Sequence, residues 1–145
     1  MNEEKIQDAG LEHCKYWAFI SYSHQDDRWG KWLHRSLESY RTPRRLVGRL
    51  GKDGPIPRRL FPVFRDTTEF SASGSLRQQM YDALHSAKNL VVICSPSAAR
   101  SDYVNEEIRH FKFLGREDRI LGLIVDGEPN VSQSGRKDDR ECFLF

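Results

Sequence analysis

Two adjacent glutamates, Glu106 and Glu107, lie in a stretch whose apolar spacing predicts a helix from about Ser101 or Asp102 to Leu114. An α-helix advances by about 100° per residue, so sequence neighbours on it point in different directions. Val104, Ile108 and Phe111 define an apolar stripe, which Tyr103 and Leu114 widen. Glu107 falls between Tyr103 and Val104 on that stripe, whereas Glu106 points roughly 100° away, beside Arg109 and His110. Burying a carboxylate without partners is costly, so an inward Glu107 needs hydrogen-bond donors, a cation or a wet cleft. A structural acid that pairs an arginine or caps a loop meets that need, and so does a working carboxylate at a ligand site.

The elements that would position it alternate along the chain. Tyr16 to Ser21, Leu60 to Phe64, Leu90 to Ser95 and Ile120 to Val125 read as strands, and most lack the polar alternation of a half-exposed sheet. Pro62 makes the second an edge or irregular strand. Trp29, Trp32, Leu33, Leu37 and Tyr40 recur at helical spacing behind Asp26 and Asp27, which suit a helix N-terminus. A second helix is expected from about Leu76 to Ala87, with Leu76, Met80, Ala83, Leu84 and Ala87 inward, and Gly115 is placed to end the third. This order predicts an α/β sandwich, a parallel sheet of four to five strands between helical layers, with ligands beyond the carboxyl ends of the strands. Three polar clusters follow strand ends: Ser21-Tyr22-Ser23-His24, Arg65-Asp66-Thr67-Thr68 and Ser95-Pro96-Ser97.

The chain of 145 residues suits one domain, here residues 16–145 behind a short tail of residues 1–15. No apolar run approaches the roughly 20 residues of a spanning helix, and the acidic start is no signal peptide, so a cytoplasmic protein without membrane contact is expected. Cys14, Cys94 and Cys142 are widely spaced and read as reduced structural thiols. The histidines show no paired metal spacing, and no metal site is expected. Residues 41–59 carry seven basic side chains against Asp53 alone, a net of +6, which leaves −4 on the rest of a chain whose total is +2. This segment reads as a basic loop or hairpin insertion. Lacking interleaved aromatics, it favours a solvated loop or assembly surface over a nucleic-acid site. Residues 126–145 form a polar tail that could add a fifth strand or lead into a further C-terminal domain.

Phe19-Ile20-Ser21-Tyr22-Ser23, Phe64-Arg65-Asp66, Val91-Val92-Ile93-Cys94-Ser95-Pro96 and Ser101-Asp102-Tyr103-Val104-Asn105-Glu106-Glu107 are four motifs whose order resembles the TIR (Toll/interleukin-1 receptor) family, bacterial NAD-cleaving type. Phe19-Ile20-Ser21-Tyr22-Ser23, followed by Asp26, is similar to the family's opening motif. Phe64-Arg65-Asp66 leading to Gly74-Ser75 resembles its second strand and long loop. Val91-Val92-Ile93-Cys94-Ser95-Pro96 resembles a later strand ending in Ser-Pro. Ser101-Asp102-Tyr103-Val104-Asn105-Glu106-Glu107 resembles the segment that carries a catalytic glutamate, with Tyr103 where the family often has Trp.

The resemblance implies a flavodoxin-like fold and cleavage of NAD+ to nicotinamide and ADP-ribose or a cyclic isomer. It assigns catalysis to Glu107 and a shared cleft to Tyr22, Ser23, Arg65 and Asp66, with Ser95 at the neighbouring strand end and the Tyr103 ring beside the acid. NAD+ would be substrate, with no cofactor: after the first strand the chain has Ser-Tyr-Ser-His where a redox dehydrogenase carries its glycine-rich phosphate loop. Self-association through TIR–TIR contacts, a sensor or repeat domain elsewhere, and a role in signalling or anti-phage defence are also implied. The competing reading is a non-enzymatic TIR scaffold acting through the loop from Asp66 to Gly74.

Overall fold

The computed structural model describes residues 11–66, 74–131 and 140–142. Most of the expected N-terminal tail, the loop after Asp66 with Thr67 and Thr68, and parts of the polar tail lie outside the described residues. The chain runs β1 (Tyr16–Ser21), a 3-10 turn (His24–Asp26), α1 (Asp27–Ser39), β2 (Leu50–Gly51), β3 (Gly54–Pro55), β4 (Val63–Arg65), α2 (Gly74–His85), β5 (Ala87–Cys94), α3 (Pro96–Ala99), α4 (Asp102–Phe113), a second 3-10 turn (Glu117–Arg119) and β6 (Ile120–Ile124).

Four strands form one parallel sheet in the order β4-β1-β5-β6. This is the α/β sandwich that the alternation predicts and the flavodoxin-like fold that the family resemblance implies. Successive strand side chains point to opposite faces, and each face has its own core. Phe19, Leu90 and Val92 pack with Leu84 of α2 and with Val104 and Phe111 of α4. Ala18, Ile20 and Ile93 pack with Leu33 of α1 and with Val63. All four strands run the same way, so their carboxyl ends meet at one edge of the sheet.

β4 is the edge strand that Pro62 foretells, but it pairs later than the composition indicates, over Val63–Arg65 and not from Leu60. α1 covers its outer backbone: Val63 N donates to Glu38 Oε1 at 3.1 Å, and Val63 O lies 2.8 Å from His34 Nε2. Two helical faces also differ from the sequence reading. On α1 the buried residues are Gly30 and Leu33, while Trp29, Trp32 and Tyr40 are exposed. The second helix ends at His85, and Ala87, which the periodicity placed on it, is the first residue of β5. Leu76 of the same expected face is exposed.

Residues 41–59 form a hairpin in which β2 and β3 pair antiparallel, with Gly51 opposite Gly54. Gly54 supplies a φ of 100° at the turn, a conformation costly for any residue with a Cβ. The hairpin tip docks on the turn that feeds β6, through Lys52 to Asp118 at 3.0 Å and Arg119 to Asp53 at 2.9 Å. It therefore sits at the amino edge of the sheet, opposite the strand carboxyl ends.

α2 and α4 meet through two histidines, His85 and His110, whose Nε2 atoms are 2.8 Å apart. At that distance one ring must donate and the other accept, so the pair holds together while at least one is neutral. Burial, then the charge of His85, pushes the His110 pKa down, with Glu106 opposing. The unfolded chain thus takes up a proton at a higher pH than the folded one. Stability is expected to be constant above about pH 7.5 and to fall as the pH drops through about 6.5, the ordinary histidine value. Denaturant unfolding from pH 8 to 5.5 checks this, and His110→Ala should flatten the profile. A stability that rose on acidification would overturn it.

Candidate active site

The helix that carries Glu107 is fixed at both ends by its own sequence. Ser101 caps it, its side chain accepting from Val104 N at 3.3 Å. The Asn105 amide donates to Ala99 O at 3.1 Å and to Ser101 O at 2.9 Å, which locks the turn from α3 into α4. At the far end Gly115 takes a φ of 75°. Between these ends Glu107 is 2% exposed among Val104, Ile108 and Phe111. Glu106 is exposed and accepts from the Tyr81 hydroxyl of α2. That bond, then burial and the charges of Glu106 and Glu107, push the Tyr81 pKa up, while Arg77 opposes.

At the carboxyl edge of the sheet the chain delivers its polar residues to two faces. Tyr22 lies on the α1 side, buried against Gly30. Its hydroxyl accepts from Arg65 Nη1 at 2.9 Å, and the same nitrogen donates to Asp27 Oδ1 at 3.0 Å. Burial pushes the Tyr22 pKa up to about 12, with Arg65 opposing, so Tyr22 stays a neutral phenol and offers no phenolate base. Asp27 is held below the ordinary carboxylate range, first by its hydrogen bond to Lys31, with Arg65 adding to the effect. Asp66 is buried at the end of β4, its N–H donating to Ile20 O at 3.3 Å. Ser23 is buried just after β1, and Tyr103 is half-buried one helical turn before Glu107.

Ser95 closes the group. Its hydroxyl caps α3, accepting from Ala98 N at 3.0 Å, and donates to Asp26. Asp26 reads in the sequence as a helix start and as a follower of the opening motif, not as a site residue, and the structure uses it to tie the β1 loop to the end of β5. The structure therefore joins Tyr22 with Arg65, and the β1 loop with Ser95. It places Glu107 on the opposite face of the sheet from the Tyr22–Arg65 pair.

One residue of that opposite face escapes the list of candidates drawn from the sequence. Ser21 ends β1 two positions after Phe19, so its side chain projects toward the α2 and α4 side, the face that holds Glu107. It is fully buried, and its Oγ has no hydrogen-bond partner among the described residues. Strand parity is the signal that finds it, once the face of Phe19 is known. A buried hydroxyl without a partner costs about 1–3 kcal/mol. Ser21→Ala is accordingly expected to raise unfolding stability by about 1 kcal/mol in chemical denaturation, and a loss of that size would mean that the hydroxyl is satisfied.

Residues 19–130 match the family model of the TIR-like domain of the Thoeris protein ThsB. The chain belongs to this TIR-like family. The match contains every residue considered above, from Phe19 through Glu107, and the basic hairpin. The TIR chain is also similar to the NAD(+) hydrolase ApTIR of Actinoplanes sp., with 36% identity over 115 residues. The aligned part is 79% of this chain and 14% of that relative, so the chain corresponds to a small share of the relative's length. Among the described residues, no group of three or more His, Cys, Asp or Glu side chains could hold a metal ion. Nor, among them, is any helix long and apolar enough to cross a membrane.

Proposed function

We propose that this TIR domain is an NAD+ nucleosidase in which Glu107 is the catalytic residue. The observation that carries the reading is the burial of this one carboxylate on the apolar stripe of α4, and the name of the Actinoplanes relative supplies the substrate. In NAD+ the nicotinamide ring is already a cation. When the bond from its nitrogen to the ribose C1′ breaks, the electron pair goes to the ring, which leaves neutral. No general acid is needed, unlike the two-carboxylate chemistry of ordinary glycosides. What must be stabilised is the positive charge that develops at C1′, and a preorganised carboxylate in a dry site does this while holding the ribose hydroxyls. Water then adds its oxygen to C1′ and releases a proton, which gives ADP-ribose. An adenine nitrogen attacking instead gives a cyclic isomer.

Ser23, Asp66, Ser95 and the Tyr103 ring belong to the same proposed cleft, with Tyr22 and Arg65 at its α1 side. The domain acts in the cytoplasm, assembled through TIR–TIR contacts, as the effector of a larger signalling or anti-phage defence protein. Incubating the purified chain with NAD+ and separating the products tests the reading. Nicotinamide and ADP-ribose or its cyclic isomer should appear, with a rate per molecule that rises with protein concentration. An intact NAD+ pool at every concentration would leave a scaffold without enzymatic activity.

A further inference from the structure

The proposed chemistry leaves the basic hairpin unused. Its two Pro-Arg-Arg runs, Pro43-Arg44-Arg45 and Pro57-Arg58-Arg59, are brought alongside each other: Arg41 pairs with Arg59 across an antiparallel bridge, and Thr42 N donates to Arg58 O at 3.0 Å. Arg59 is spent on the scaffold, reaching Glu38 O at 2.8 Å, and Lys52 is spent on Asp118. Arg41, Arg44, Arg45, Arg49 and Arg58 are exposed, and none has an ion pair or side-chain hydrogen bond among the described residues. Five like charges held on an anchored platform whose one acid, Asp53, is spent on Arg119 repel one another, a cost that a polyanion would relieve. The choice of arginine matters too, because its planar fork meets phosphate oxygens two at a time, as lysine cannot.

The aromatics that the segment lacks stand just outside it. Tyr40 is 49% exposed and Phe61 55% exposed, both at the base of the hairpin where the chain enters and leaves it, with Arg59 over the Phe61 ring at 5.6 Å. Exposed rings beside a basic track are the elements that hold unpaired bases, because every base has a face to stack. We propose that the hairpin binds single-stranded nucleic acid, the arginines on the phosphates and Tyr40 and Phe61 under the bases. The site lies at the amino edge of the sheet, away from the strand ends that carry Ser21, Arg65 and Ser95, so it acts independently of the cleft.

Fluorescence anisotropy of a labelled single strand of about 20 nucleotides, titrated with this chain, tests the proposal. For single strands log K falls by about 0.7 per decade of salt for each phosphate neutralised, so five arginines should cost about 100-fold in affinity between about 50 and 200 mM salt. Arg44→Glu with Arg45→Glu should weaken binding at least tenfold at the lower salt, with the circular dichroism unchanged. Tyr40→Ala should weaken binding of the single strand more than that of the duplex. The proposal is overturned if no oligonucleotide binds at low salt, or if binding ignores the arginine pair. It is equally overturned if the arginines govern attachment to phosphatidylserine vesicles or to a second copy and not to the strand.

Discussion

Glu107→Gln should reduce nicotinamide release by about a thousandfold, the scale of removing a preorganised charge from a transition state, while leaving the domain folded. The side chain keeps its size and its place on α4, where it is buried along with Val104, Ile108 and Phe111. Glutamine also keeps a hydrogen-bonding group at each terminal atom of the side chain, so the fold should be retained. Glu106→Gln is the matched control. That residue is exposed and bound to the Tyr81 hydroxyl, and its loss should leave release within about twofold, the scale of a change of a few tenths of a kcal/mol. The measurement is single-turnover nicotinamide release with matched circular dichroism spectra. A Glu107→Gln protein that cleaves NAD+ at the parent rate, or a Glu106→Gln protein that does not, would sink the assignment.

The separation of these two glutamates is legible in the sequence because a helix has a fixed angular step. Burial of one and exposure of the other follow from Val104, Ile108 and Phe111 alone. Strand existence is equally legible, since a short apolar run rich in β-branched residues, such as Leu90-Val91-Val92-Ile93-Cys94, suits a strand covered on both faces better than a helix. Which face a residue at a strand end takes is harder to read. Tyr22 and Ser21 differ by one position and so face opposite layers, but that assignment needs the packing of Phe19 and Ile20 to be known. Spacing also does not say where a helix meets its neighbours. Trp32 and Tyr40 keep the period of α1 yet lie beyond the area covered by the sheet. Ala87 is apolar enough for either a helix or a strand, and only its pairing with Tyr16 decides. The hydrogen bond from Ser95 to Asp26 joins residues 69 apart, and no local pattern encodes it.

Gly30→Ala should destabilise the domain, against the usual sign for that exchange in a helix. Alanine in place of glycine within a helix normally gains about 1 kcal/mol. Here a Cβ would stand 2.9 Å from two carbons of the Tyr22 ring and 3.0 Å from a third, inside van der Waals contact. The ring cannot slide aside freely, because its hydroxyl is bonded to Arg65, and Arg65 in turn to Asp27 on the same helix. Overpacking of this kind costs about 1–3 kcal/mol, so the net loss should be up to about 2 kcal/mol after the propensity gain. The same shift would turn Tyr22 and Arg65 at the strand ends, and NAD+ cleavage should fall with it. A double-mutant cycle isolates the cause. In a Tyr22→Ala background the added methyl meets empty space, and Gly30→Ala should then become neutral or stabilising. If Gly30→Ala destabilises both backgrounds equally, the glycine answers to something other than the tyrosine ring. The Tyr22–Arg65–Asp27 chain would then lose its role as the link between α1 and the ligand edge.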